Sequence, residues 1–219
     1  LLPFATGLWE AAVIKARKRD EANGFSLDQV KFASNDAARI AFQGDSVDAI
    51  IGDLVWAGRL RSEGRDVKYQ PYSTTEGALM VPAGSAIKDL KDLAGKNVVV
   101  GRGTTGEAFL KREVPDANLD YVDNFAPDGV LQLQQKRVDA AIEDSSLVDY
   151  LATKNDTLVT LPELYSNDPI GIAVAKGDPD FVRWLDMFVS DYIQSGAYEA
   201  NYKKWWGASA NPPKLNPLC

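Results

Sequence analysis

Along this chain, short apolar runs take turns with longer stretches in which apolar residues return every three or four positions. These are the two periods of buried strands and amphipathic helices. Residues 8–21 carry Leu8, Ala11, Ala12, Ile14 and Ala16 among charges and read as a helix closed near Gly24. A short strand is predicted over 29–33. A helix follows through Ala37, Ile40, Ala41 and Phe42, with Ser34, Asn35 or Asp36 available as its cap and Gly44 as its stop. Residues 47–52 read as a buried strand, 55–63 as a helix, and 67–71 and 77–81 as strands.

The same rhythm resumes after a short helical turn over 88–95. Strands are predicted over 97–101, 119–122, 138–142 and 171–175, with helices over 106–113, 127–136 and 146–154 between them. Strand alternating with helix argues for an α/β fold with mostly parallel sheets. Asp178 and Pro179 then open a long helix, with good chemistry for its cap and first turn. Phe181, Trp184, Phe188 and Tyr192 share one face of it, and Tyr198, Tyr202, Trp205 and Trp206 form a second aromatic group. Packing on a core accounts for this stripe better than a ligand cage does.

One internal repeat ties the two blocks together. Val47-Asp48-Ala49-Ile50-Ile51-Gly52-Asp53 matches Val138-Asp139-Ala140-Ala141-Ile142-Glu143-Asp144, and both aspartate pairs stand 91 positions apart. Each run puts a carboxylate at the C-terminal end of a buried strand, which is where open α/β sheets bind ligands. Two such units facing each other would place Asp53 and Asp144 on opposite walls of a cleft.

Composition narrows the chemistry. The 219 residues carry a formal charge of −7, which disfavours nucleic acid and anionic membrane as partners. The dense basic run Lys15, Arg17, Lys18 and Arg19 reads as a solvated helix face rather than an anion-binding patch. The absence of His removes the commonest acid–base catalyst and zinc ligand. Cys219 alone makes no internal disulfide and is a poor buried nucleophile. No metal or cofactor is expected.

Several segments could bind a solute. Gly101-Arg102-Gly103-Thr104-Thr105-Gly106-Glu107 lies between a strand and a helix, so its backbone N–H groups and threonine hydroxyls suit a carboxylate, sulfonate or phosphate; equally, a threonine could simply cap the helix. It is neither a P-loop nor a dinucleotide fingerprint. Asp144 and Asp53 could each hold an ammonium group or cap the helix that follows. Trp56 could stack on a ligand or fill a core, and Ser73 and Thr74 offer hydroxyls beside a strand.

The segment KDLKDLAGKNVVVGRGTTG (88–106) resembles that of type II periplasmic solute-binding proteins of ABC importers. LQLQQKRVDAAIED, PIGIAVAKGDPDF and the aromatic tail YKKWWG are similar to the polar amino-acid-binding branch. The resemblance implies that Thr104 and Thr105 hold the ligand's α-carboxylate, with Arg102 nearby, and that Asp144 holds its α-ammonium. The first hundred residues, LPFATGLWEAA and GDLVWAGRLRSEGRDVKYQPY, look more like the nitrate, sulfonate and taurine branch. That branch's features make the chain read as a hybrid, natural or engineered. The arginine expected before Tyr69-Gln70-Pro71-Tyr72 is missing, and the family's first strand would precede Leu1.

The expected architecture is thus a two-lobed, periplasmic-binding-protein-like α/β fold of type II. Lobe 1 would be 1–97 plus 176–219 and lobe 2 98–175, with hinge strands at 97–101 and 171–175. The expected role is non-enzymatic: capture of a small zwitterionic or anionic solute by hinge closure and delivery to a membrane permease. The protein would be a monomer, periplasmic or lipid-anchored outside the cell. Two rival readings are an enzyme of the same fold, with Glu76, Glu107 or Glu143 as general acid, and a sensor module with a degenerate cleft.

Overall fold

The computed structural model describes residues 8–175, 177–206 and 212. Cys219, the stretch 2–7, Gly207 and the side chains of Leu8 and Trp205 lie outside the described residues. The first predicted helix is in fact two, α1 (Leu8–Ala16) and α2 (Arg19–Ala22). Lys18 separates them at φ 51°, in the left-handed region that no α-helix passes through. The bend buries Asp20, which is 1% exposed and accepts from Lys15 Nζ at 2.7 Å and from the Leu27 N–H at 3.0 Å. Lys15, Lys18 and Arg19 of the basic run all pair with carboxylates, on Asp20, Glu21 and Asp191.

The hydrogen bonds from Lys15 and Leu27 hold the Asp20 carboxyl down to about 2. The fold favours the ionised form. Its contribution is therefore complete above the ordinary value of 3.8 and is lost as the pH falls from there through about 2. Replacing Asp20 by asparagine should lower the melting temperature at pH 6. It should also flatten the decline between pH 4 and 2, which thermal denaturation across pH will show.

Next come α3 (Asn35–Gln43), β1 (Ala49–Asp53), α4 (Leu54–Ser62), β2 (Val67–Thr75) and β3 (Gly77–Pro82). Ser34 caps α3, accepting the Ala37 N–H at 3.2 Å. The strand expected over 29–33 does not form, and Val30 stays 58% exposed. An extended segment becomes a strand only where a neighbour's N–H and C=O groups meet it in register. A 3-10 turn at Leu90–Leu93 leads to β4 (Asn97–Gly101), α5 (Thr105–Glu113), β5 (Asn118–Val122), α6 (Phe125–Gln134) and β6 (Ala140–Asp144). The chain continues through α7 (Ser145–Thr153), β7 (Leu158–Leu164), β8 (Asp168–Ala175), α8 (Pro179–Gln194) and α9 (Ala197–Trp206).

The strands form two sheets, ordered β1-β8-β2 and β5-β4-β6-β3-β7. The larger is mixed and the smaller wholly antiparallel, rather than mostly parallel. β4 runs parallel to β5 and β6, but β3 is antiparallel to β6 and β7, and β8 is antiparallel to β1 and β2. The cause is the way the chain changes sheets. Strand β2 runs through Glu76 straight into β3, which enters opposite the C-terminal end of β6, with Gly77 beside Asp144. Strand β8 returns after residues 165–167 and enters with Ile170 beside Asp53, the last residue of β1. A strand entering from the C-terminal end of its neighbour must run against it.

The expected hinges, 97–101 and 171–175, lie within their own sheets as β4 and β8. The passages between sheets are instead Glu76 and 165–167. Residues 77–82, expected in lobe 1, pair in the five-stranded sheet, and 168–175, expected in lobe 2, pair in the three-stranded one. The two passages are tied together: the Gly77 N–H donates to Ser166 Oγ at 2.9 Å, and the Tyr165 N–H donates to the Gly77 carbonyl at 2.9 Å.

Alternation along the strands packs both faces of the five-stranded sheet. Leu79, Val98, Val100 and Ile142 meet Phe109 and Leu110 of α5 on one face. Met80, Val99 and Ala141 meet Leu133 of α6 and Val148 of α7 on the other. Phe42, Trp56, Leu60 and Ala173 form the core beside the three-stranded sheet. The aromatic stripe is structural. Phe181, Trp184, Phe188 and Tyr192 stack in sequence, and Tyr192, Tyr198 and Tyr202 are buried together. Helix α8 packs on β2, whereas α9 reaches α7, with the Trp206 ring 5.7 Å from that of Tyr150. Among the described residues, no helix is long and apolar enough to cross a membrane.

Candidate functional site

The turn between β4 and α5 delivers the chain to a helix N-terminus. Thr104 Oγ1 accepts the Glu107 N–H at 3.3 Å and donates to the Gly101 carbonyl at 2.9 Å, so Thr104 is the cap. Gly103 sits at φ +71°, where a β-carbon is strained. Its N–H donates to Glu107 Oε2 at 2.7 Å, and Lys111 Nζ donates to Oε1 at 2.6 Å. Burial pushes the Glu107 carboxyl up, but these two hydrogen bonds outweigh it and leave it below its ordinary range. The turn thus holds a carboxylate of its own on one side. Thr105 opens the helix, half-buried. Arg102 is exposed and lies over the Tyr121 ring, 4.8 Å from its centroid, with Asp123 at 3.5 Å.

The two repeat aspartates do different things. Asp53 caps α4, accepting the Trp56 N–H at 2.7 Å, while its other oxygen accepts from Arg39 at 2.9 Å. Asp144 stands at the start of α7 and makes no side-chain cap hydrogen bond to it. It is adjacent to the sheet passage, where the Ser145 N–H donates to the Glu76 carbonyl at 2.7 Å. Glu143, beside it, has its carboxyl pushed up to about 8, by desolvation first and then by the Asp144 charge. Tyr202 of α9 is raised as well, mainly by burial.

Across from the Gly-Thr-Thr turn stands α3. The Asp36 carboxylate lies against Gly103, where an added methyl would come within 2.6 Å of Oδ1. One turn on, Arg39 bridges Asp53 and Asp36, the latter at 3.7 Å, and its guanidinium lies 5.6 Å from the Trp56 ring centroid. Sequence reasoning sought an arginine just before Tyr69-Gln70-Pro71-Tyr72 and missed this one. Its signal was faint: a single basic residue on an amphipathic helix, which ordinarily reads as solvated.

Trp56 does not present its ring for stacking. It is 3% exposed, packed edge-to-face on Phe42 and pressed against Gly52, where an added methyl would meet its ring at 3.1 Å. Ser73 is half-buried on β2 near the passage, and its Oγ lies 3.3 Å from the Tyr198 hydroxyl. Thr74, beside it, pairs with Pro169 of β8. Thr104, Thr105 and Asp144 therefore gather at one end of the larger sheet. Asp53, Arg39, Ser73 and Thr74 gather at the end of the smaller sheet nearest the passages.

Known proteins resemble this chain in sequence and in fold. The chain is 31% identical over 153 residues to the L-cystine-binding protein TcyJ of Escherichia coli (strain K12), covering 67% of this chain and 57% of that protein. It is 25% identical over 165 residues to the ABC transporter glutamine-binding protein GlnH of Bacillus subtilis (strain 168), covering 74% and 59%. The chain thus spans less than two thirds of these relatives' length. A putative binding component of an ABC transporter from Wolinella succinogenes, solved in complex with lysine, superposes with a TM-score of 0.74 at 28% identity, over 89% of this chain and 84% of that one. These relatives are solute-binding proteins, not enzymes. A single family model spans residues 15–208, the N-terminal part included, which overturns the reading of a hybrid with the nitrate, sulfonate and taurine branch. Over those residues, the chain belongs to the bacterial extracellular solute-binding proteins, family 3.

Proposed function

We propose that this chain is the capturing component of an ABC importer and that its solute is a small α-amino acid. The observation that carries this reading is the contrast between the two strand-end aspartates. Asp53 caps α4 and pairs with Arg39, whereas Asp144, on the strand next to the Gly-Thr-Thr turn, makes no side-chain cap hydrogen bond to its helix. An α-amino acid carries a carboxylate and an ammonium a few ångströms apart, which suits a helix N-terminus beside a carboxylate. The solute's carboxylate would lie on Thr104 and Thr105 and its ammonium on Asp144. Ser73 and Thr74 supply hydroxyls from the other lobe, Arg102 sits at the rim, and Trp56 and Asp53 support the wall.

The lobes would be 8–75 with 168–206, and 77–164. Closure would turn on Glu76 and residues 165–167, shifting the population toward the closed form by the contacts a bound solute makes with both lobes. A periplasmic or lipid-anchored monomer would then present the closed form to its permease. Calorimetry with L-cystine, L-glutamine, L-arginine, L-lysine and L-glutamate should find micromolar affinity for at least one of them. No affinity tighter than millimolar across that panel would overturn the reading.

A further inference from the structure

Behind the Gly-Thr-Thr turn lies a carboxyl that the binding scheme above does not use. Glu143 Oε1 accepts the Asp144 N–H at 3.3 Å. Its Oε2 stands 3.1 Å from where a methyl on Gly101 would be, and Thr104 Cγ2 stands 2.8 Å from the same point. The carboxyl thus fills the space that any side chain at 101 would claim, against the residue that caps α5. One group touches both arms of the proposed site, the turn and Asp144.

Resting on the functional reading above, we propose that Glu143 is a positioning residue that is protonated in the solute-bound state, so that capture above neutral pH takes up a proton from solvent. An ionised Glu143 would set a second negative charge beside Asp144 and directly behind the turn that receives the solute's carboxylate. A protonated one leaves the turn electropositive and spaces Thr104 from Asp144 without opposing the incoming anion. Among the described residues, the neighbouring charge that shifts it is that of Asp144, and on the turn itself Arg102 lies over Tyr121 and beside Asp123. Asp144 on its own strand supplies the push, and Glu76 at the passage adds no positive charge. On α5, Lys111 is committed to Glu107, and on α3, Arg39 is committed to Asp53 and Asp36. Asp149 of α7 and Tyr202 of α9 bring no cation. Desolvation and Asp144 together already favour the protonated form near neutrality in the unliganded protein. Closure adds the solute's carboxylate on the same side and removes more water.

The test is calorimetry from pH 6.5 to 9.5 on the wild type and Glu143→Gln, with whichever of L-cystine, L-glutamine, L-arginine, L-lysine and L-glutamate binds tightest. Wild-type affinity should fall about 10-fold relative to the variant across that range, since one linked proton changes binding by at most about tenfold per pH unit. The comparison cancels the solute's own ammonium titration. Repeating the titration of both proteins at pH 8.5 in phosphate and in Tris, whose ionisation enthalpies differ, should show greater proton uptake by the wild type than by Glu143→Gln. Parallel pH profiles, or equal proton uptake by the two proteins, overturn the proposal while leaving the functional reading intact. Failure of all five amino acids to bind either protein at any pH overturns that reading and this inference with it.

Discussion

Asparagine in place of Asp144 should weaken amino-acid binding by about 100-fold, because truncating one side of a desolvated charge pair costs about 2–5 kcal/mol. The substitution keeps size and shape and removes only the charge. Asp144 makes no cap hydrogen bond to α7, so the helix does not lose its cap. The neighbouring Glu143 is relieved of the charge that raises it, which further favours the folded state. The equivalent change at Asp53 should behave in the opposite way. Asp53→Asn weakens the bonds to the Trp56 N–H and to Arg39, so its cost falls on stability rather than directly on affinity. Calorimetry and thermal denaturation on both variants separate the two. Equal losses of affinity from both, or retained affinity in Asp144→Asn, would remove Asp144 from the site.

The contrast between these residues marks where sequence reasoning stops. Their 91-residue offset and matching runs made the two strand ends legible, and the register puts both beside a sheet passage. Which carboxylate caps its helix is decided by local backbone angles and by Arg39, fourteen positions away from Asp53, and neither is written in the repeat. The cap at Thr104 was legible because its spacing to Glu107 is local. The carboxylate on Gly103 comes from that same Glu107 and was not foreseen.

The fold follows the same division. Buried strands with continuous apolar runs, such as β4 and β6, were legible because both faces are covered. Strand β7 was missed: it is an edge strand with largely exposed positions and Pro162 inside it, so its period is weak. The predicted strand over 29–33 failed for the complementary reason, having a plausible pattern but no ladder. The passage between sheets at Glu76 was not legible because β2 and β3, separated by that residue alone, look in sequence like a hairpin. Only pairing partners reveal that they belong to different sheets.

Alanine at position 171 should destabilise the protein by about 3 kcal/mol, lowering the melting temperature by about 10 °C in a chain of this size. Gly171 lies at the middle of the smaller sheet, opposite Gly52 of β1 and Pro71 of β2. An added methyl would come within 2.5 Å of the Gln70 carbonyl oxygen and 2.6 Å of Tyr69 Cζ. The first of these is backbone and yields only if β8 separates from β2, next to the irregularity already present between Pro71 and Ser73. The second yields only if the Tyr69 ring moves, and its hydroxyl donates to the Pro169 carbonyl at 2.9 Å and reaches that of Gly52 at 3.2 Å. That ring therefore clamps β1 to β8, and either response loosens the strand that leads out of the passage at 165–167. Tyr69→Phe, which removes the hydroxyl and keeps the ring, should cost only about 1 kcal/mol. Combining Gly171→Ala with Tyr69→Ala should cost less than the sum of the two single changes, because removing the ring makes room for the methyl. Chemical denaturation of the four variants measures this coupling. A Gly171→Ala protein that melts within about 1 °C of the wild type would show that the β2–β8 contact has slack that these distances deny.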